Sequence, residues 1–422
     1  MTTPAISQTT ANAPEVRKIF QDGHMPAWLI ILLGSLSAVG PLSTDMYLPA
    51  FPTLERALGS GSGSAQITLA AWFVGLAVGQ FTQGPASDRW GRKLPLLAGL
   101  AIYTIGSIGC AISHDLWSFS ACRFLAALGG SAGMVIPRAI VRDVATGTQG
   151  AKLMSQLTLV LGVVPVLAPS LGALVLTIAN WRWIFWIATF YGVVSLAIVY
   201  LTLPDTLPRS MRLHLAPVEV LGRYISIFNE RVFLTNTCIC GFSSFVVFAY
   251  LSGTPIVFEQ ILHFTPTGFG IMFGINAFFY ILGTQVNARI VGRVGVERML
   301  GFGIMSMTGA AISLNFVVMT GLAGAHGSIL AAALPIMWVM ASLGFLTPNA
   351  VVLALTAHAR HAGSASALLG TLQFSFGALS GVVMGIFSNI SMVPMALVIL
   401  VGVIGANIAH RARRPELLVD RD

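Results

Sequence analysis

Charge is what this sequence has least of. Only 9% of its 422 residues are Asp, Glu, Lys or Arg, against about 25% in an ordinary soluble domain. Hydrophobic residues make up 55%, and the mean hydropathy is +0.82. A soluble globular chain is excluded on that ground. Strand-length segments of alternating polarity are also missing, which excludes a membrane β-barrel. Cysteine is scarce: Cys110, Cys122, Cys238 and Cys240 all lie inside apolar runs, without paired CxxC spacing. They read as small packing residues, and neither a disulfide framework, a metal site nor a cofactor is expected. Residues 1–26 carry no signal-peptide apolar core or cleavage site, so the first apolar run should insert and stay.

What is present is a series of apolar runs of the length a helix needs to cross hydrocarbon. In the first half they run Trp28–Leu48, Gln66–Gln83, Leu94–Ile112, Trp117–Pro137, Leu153–Ile178 and Trp183–Leu203. In the second they run Val232–Val257, Thr267–Ala288, Met299–Leu322, Ile329–Thr356, Ala362–Ser388 and Ser391–Ala409. The expectation is an all-α membrane protein of twelve transmembrane helices. Pro165 and Pro169, one turn apart in the fifth run, predict a kink there.

The formal charge of +8 does not point to nucleic acid, because the basic residues sit in short tracts between apolar runs. Of the 23 Lys and Arg, all but Arg56, Arg182 and Arg123 fall on one set of connections or in the two tails. Positive charge marks the cytoplasmic side, so both termini are expected inside, with a multi-pass protein in the inner (plasma) membrane. The polar stretch from Pro204 to Glu230 divides the chain into near-equal halves. The expected organisation is a tail (1–26), a six-helix bundle (27–203), a linker (204–230), a second six-helix bundle (231–410) and a tail (411–422). A weak internal repeat spans the divide: Gly84-Pro-Ala-Ser-Asp88 follows the second run and Gly283-Thr-Gln-Val-Asn287 the eighth. Duplicated transporters look like this.

The segment Gly84-Pro-Ala-Ser-Asp88-Arg89-Trp-Gly91-Arg92-Lys93 resembles the loop signature of the major facilitator superfamily, Gly-x-x-x-Asp-(Arg/Lys)-x-Gly-Arg-(Arg/Lys). Gly84 and Gly91 permit close helix approach and a tight turn, and Asp88 can face a helix N-terminus. Three further stretches narrow the resemblance: Ser43-Thr-Asp45-Met-Tyr47-Leu-Pro49-Ala, Arg123-Phe-Leu with Arg142-Asp143, and Trp181-Arg-Trp-Ile-Phe185. Together they are similar to the Bcr/CflA (bicyclomycin and chloramphenicol resistance) family of twelve-span drug/proton antiporters, over essentially the whole chain. The resemblance implies two pseudo-symmetric six-helix bundles and an ion pair between Arg92 and Asp143. It also implies an approach of Asp88 to the start of the eleventh span, near Ala362–Ser364. There are departures. Ala126 and Ala127 stand where the superfamily has Gln and Gly, and the antiporter pattern Gly-Pro-x-x-Gly-Gly reads Ala168-Pro169-Ser170-Leu171-Gly172-Ala173.

Only Asp45 and Arg123 are ionisable well within the runs. A buried charge there costs at least about 2.5–3.5 kcal/mol, so a retained one marks a working site by default. Counting residues from the ends of their runs puts both at similar depth in the outer half. Asp45 reads as the proton carrier and Arg123 as the group that tunes it; the alternative is an interfacial cap or a structural ion pair. Tyr47, Asn276 and Gln373 are weaker candidates for the cavity, since each could equally bond between helices. The expected function is proton-coupled efflux of small amphipathic, neutral or monocationic compounds by alternating access, with no enzymatic activity and a monomeric state. The alternative is an exporter or symporter of a small metabolite such as an amino acid or dipeptide. A membrane enzyme would need several convergent catalytic groups, which one Asp and one Arg do not supply.

Overall fold

The computed structural model describes residues 27–61, 64–144, 157, 164, 167–212, 217–322, 328–356, 362–387 and 391–413. Helix α1 (Ala27–Asp45) gives way to a 3-10 turn, Leu48–Ala50, and the short α2 (Phe51–Ala57). Then come α3 (Ser64–Trp90), α4 (Lys93–Ile112), α5 (Leu116–Val144), α6 (Leu167–Ile178) and α7 (Arg182–Thr202). After the interfacial α8 (Pro217–Phe228) the second half holds α9 (Arg231–Pro255), α10 (Pro266–Val294) and α11 (Val296–Met319), followed by α12 (Ile329–Thr356), α13 (Ala362–Ile386) and α14 (Val393–Arg411). Among the described residues there is no strand, and eleven helices are long and apolar enough to span a membrane. The fifth expected span, 153–178, lies mostly outside the described residues; its end is the apolar α6.

The helices outrun the apolar runs, because backbone hydrogen bonding continues after the side chains turn polar. The Gly84–Lys93 stretch, expected as a loop, is helical through Trp90, and only Gly91 and Arg92 separate α3 from α4. Pro137 does not end the fourth span: α5 carries Arg138 and Arg142 on as helical residues. Half of the polar linker is α8. Helix α9 passes Pro255, which has no amide hydrogen to donate, and widens into a π-turn, Ile256–Ile261. That turn holds Glu259 half-buried, with Oε1 buried and unpartnered, rather than solvated at the surface.

Hydrocarbon supplies no hydrogen bonds, so polar side chains in the spans turn back on their own helix. The hydroxyls of Ser37, Thr44, Thr104 and Ser107 donate to the carbonyls of Leu33, Gly40, Leu100 and Tyr103, one turn earlier. Asn236 does the same to Val232. The outward faces are apolar instead: Ile178 is 82% exposed and Leu201 77%, a surface that water would penalise and lipid does not.

Packing repeats across the divide. In the first half α5 packs on α1, α3 and α4, and α4 on α7; in the second α12 packs on α9, α10 and α11, and α11 on α14. The halves meet chiefly where α3 lies along α13 and, at the Tyr47 end, where the amide of Gln66 donates to the Ser252 carbonyl at 3.1 Å. Small residues set the spacing. A Cβ on Gly129 would meet the Gly99 carbonyl and the Tyr103 amide nitrogen, and one on Gly283 the Ala341 carbonyl. Those neighbours are backbone and cannot step aside. Gly129→Val is expected to lower stability by about 1–3 kcal/mol through overpacking of α4 against α5, read as a lower melting temperature of the purified protein. Gly301→Val, in open space, is the matched control.

Candidate functional site

Where α1 yields to its 3-10 turn, Asp45 reaches a cavity of about 300 Å3 lying between the two halves. Its walls are aromatic and thioether: Phe73 of α3, Phe248 of α9, Phe273 of α10 and Phe374 of α13, with Met134 and Met340. Phe73 sits 3.7 Å from Phe248 between ring centroids, and Phe374 closes the cluster at 6.4 and 6.1 Å from the two. Asp45 is 5% exposed. No basic side chain of the described residues lines this cavity.

Arg123 is not there. It is buried in α5 inside an aromatic box, its guanidinium carbon 4.2 Å from the Trp72 ring centre, 4.3 Å from Tyr47 and 5.8 Å from Phe185. The rings' π faces hold the cation where a carboxylate would otherwise be needed. Its NH1 donates to the Ser43 carbonyl at 3.1 Å, while Nε and NH2 have no hydrogen-bond partner among the described residues. Tyr47 belongs to this box and not to the cavity, its hydroxyl 3.2 Å from Thr68 Oγ1. Asp45 and Arg123 form no ion pair, but Arg123 grips the backbone two residues before Asp45.

The remaining expected residues divide. Asn276 is fully buried on α10 and does not line the cavity, its Nδ2 donating to Met272 at 3.0 Å. Gln373 is half-buried on α13 and does not line the cavity, though Phe374 beside it does. Pro165 lies outside the described residues; Pro169 sits in the first turn of α6. A Cβ on Gly172 would strike the Met46 carbonyl, so α6 lies against the end of α1, next to Asp45. Sequence reasoning missed Tyr250 and the phenylalanine walls, which look like any apolar residues in a run. The polar Tyr250 between Ala249 and Leu251 was the one local signal.

At the other end of α3 the charges of the Gly84–Lys93 segment are organised around Arg92. Its Nε and NH2 fork onto Asp143 at 2.7 and 3.2 Å, and NH1 donates to Asp88 and Ser87 at 2.6 and 2.9 Å. Its backbone amide donates to Asp205 at 2.8 Å, which also pairs with Arg212 at 2.7 Å. Gly91 makes that possible: at φ +90° it occupies the left-handed region, and a Cβ would collide with the Asp205 carboxylate. Burial works against the charged guanidinium of Arg92, but the hydrogen bonds and charges of Asp143 and Asp88 outweigh it and raise its pKa. Lys93 Nζ donates to the Tyr200 carbonyl at 2.9 Å, and Arg89 lies over Trp90. The cluster ties α3, α5 and the start of the linker within the first half. Contact with the second half runs through Asp88 and Ser364, which line one polar cavity, and through Gly84, which faces Ala367. In the second half the matching position is uncharged: Asn349 Nδ2 donates to Asn287 Oδ1 at 2.8 Å.

Two repeated helical halves around a central cavity, with a charge cluster at one end of the second span, define a membrane transporter and not an enzyme. The chain belongs to the major facilitator superfamily, whose family model matches residues 33–382. It is 34% identical over 385 residues to the uncharacterized MFS-type transporter YdgK of Bacillus subtilis (strain 168), covering 90% of this chain and 93% of that one. It is 28% identical to the bicyclomycin resistance protein homolog of Haemophilus influenzae, over 83% and 87% of the two chains. A chloramphenicol resistance protein of Pseudomonas aeruginosa is 29% identical over 74% of each. Among solved structures, a D-xylose–proton symporter superposes with a TM-score of 0.71 at 16% identity, over 90% of this chain and 96% of the other; that likeness concerns the fold alone.

Arg92→Ala strands Asp143, whose side chain is only 12% exposed, and is expected to cost about 3 kcal/mol. Transport should fall with membrane insertion intact. Gly91→Ala should reproduce that loss through the backbone, and Lys93→Ala should do little. Melting temperature and substrate flux of the three variants check the ranking.

Proposed function

We propose that this transporter exports small amphipathic, neutral or singly charged compounds in exchange for protons, exposing the Asp45 cavity to each side of the inner (plasma) membrane in turn. The observation that carries this reading is a carboxylate in a largely apolar, phenylalanine-rich cavity, with no acidic partner and no basic side chain lining it among the described residues. An ionised Asp45 holds a cationic or polar cargo; its protonation releases that cargo. Substrate and proton therefore compete, each favouring a different state of the same carboxylate. Arg123 acts through α1, by holding the Ser43 carbonyl, and acts as a positioning residue. The Arg92 cluster serves as a latch at the cytoplasmic end. The names of the resistance-protein relatives support drug-like cargo. The bias of Lys and Arg to one set of connections supports cytoplasmic termini, with bundles at 27–203 and 231–410 joined by the 204–230 linker. The protein works as a monomer.

With one titrating carboxylate in the cavity, one proton exchanges per cycle. A monocation then exchanges without net charge movement, whereas a neutral cargo moves charge worth about 2.3 kcal/mol per 100 mV. In liposomes with pH gradient and potential imposed separately, Asp45→Asn is expected to lose uphill transport driven by the pH gradient. Full proton-driven transport of chloramphenicol and ethidium by that variant would overturn the reading. Gly61, exposed after α2, should be outside: Gly61→Cys, in a chain lacking the four native cysteines, is expected to react with an impermeant thiol reagent in intact cells. No labelling until the cells are opened would reverse the orientation.

A further inference from the structure

The polar groups around the cavity differ in whether their hydrogen-bonding capacity is already used. Thr44 and Ser243 donate to the carbonyls of Gly40 and Ile239, one turn back on their own helices. Three groups keep unused capacity among the described residues. Asp45 makes no hydrogen bond or ion pair there. Tyr250 of α9 is 3% exposed, lines the same cavity, and its hydroxyl is not engaged by its own helix. Asn276 of α10 is buried completely beside it; its Nδ2 donates to Met272, and its Oδ1 is not engaged by its own helix. The Tyr250 hydroxyl lies next to Asn276 and within electrostatic range of Asp45.

Many polar side chains in the spans return to their own helix, whereas here the Tyr250 hydroxyl of the second half lines the same cavity as the Asp45 carboxylate of the first, with the Asn276 amide beside it. Their chemistry is also one-sided. A carboxylate and an amide oxygen only accept, and a phenol accepts or donates. Such acceptors in an apolar enclosure are unfavourable until a donor arrives. An N–H or O–H group satisfies them. A permanent cation without N–H satisfies only the charge and the aromatic faces.

We propose that Tyr250 and Asn276 complete, with Asp45, the polar end of the cargo site, and select cargo carrying N–H or O–H donors, such as a primary or secondary ammonium on an aromatic body, over permanent cations that lack them. The phenylalanine walls hold the body and Asp45 the charge; Tyr250 reads the donors, and Asn276, buried beside its hydroxyl, positions it. This assignment rests on the reading of the Asp45 cavity as the cargo site.

The test is equilibrium binding of two matched probes, 4-phenylbutylammonium and 4-phenylbutyltrimethylammonium, to the full chain in lipid nanodiscs. Wild type is expected to bind the ammonium more tightly. Tyr250→Phe and Asn276→Leu should each weaken the ammonium by about three- to ten-fold, the size of one lost hydrogen bond, and leave the trimethylammonium within about two-fold. Asp45→Asn should weaken both. Unchanged trimethylammonium binding reports that the variant site is intact. Should Asn276→Leu not fold, Tyr250→Phe, which removes one oxygen and little volume, decides alone. Retained preference for the ammonium in the variants, or parallel weakening of both probes, overturns the assignment while the cavity reading stands. Wild type that binds neither probe, or Asp45→Asn that binds both as wild type does, removes the cavity reading and this assignment with it.

Discussion

Hydrocarbon offers no hydrogen bonds, and each feature of this protein answers to that. Backbone groups close on themselves in helices. Serines, threonines and asparagines return to a carbonyl one turn back, as Thr104 and Asn236 do. Buried polar atoms left without a partner among the described residues stand out against that pattern. Several of those that are left lie around the end of α1 and the facing surfaces of α9 and α10. The same physics that builds the scaffold therefore outlines the proposed cargo site.

The two charges held within the membrane are stabilised in different ways. Arg123 is enclosed by three rings and bonded to one backbone carbonyl, an arrangement that keeps the cation fixed and leaves it no freedom to reach a cargo. Asp45 faces open volume between the halves. Arg123 thus holds the backbone of α1 at Ser43, two residues before the Asp45 carboxylate and five before the Leu48–Ala50 turn. Gly172 keeps α6 against that same point.

At the opposite end, the charges around Arg92 make a compact junction inside the first half instead of a bridge across the halves. Arg92 joins α3 to α5 and to the linker, and Gly91 is required because its neighbour on that side is the Asp205 carboxylate. The halves touch there through small residues, Gly84 against Ala367 and Gly370 against Gln80. The forked ion pair thus binds the first half internally, while at this end the two halves are in contact through Gly84 and Gly370.

Sequence alone determined the class of this protein. Span length, the near absence of charge, the one-sided placement of Lys and Arg and the Gly84–Lys93 pattern are one-dimensional quantities set by bilayer thickness and helix rise. They also isolated Asp45 and Arg123, because a charge in hydrocarbon is rare enough to stand out unaided. Span ends were less legible: helices continue on backbone hydrogen bonds alone, so Gly84–Trp90 and Arg138–Val144 stayed helical beyond the apolar runs. The partners were not legible at all. Similar depth along the membrane suggested Asp45 with Arg123, but depth leaves the direction around the helix axis open, and packing turned the two into separate enclosures. Tyr250, with Asn276 next to it, comes into the cavity of Asp45 only because α9 and α10 of the second half close over α1 of the first. That meeting depends on how two bundles dock, which no local pattern of residues records, and it took the tertiary structure to decide it.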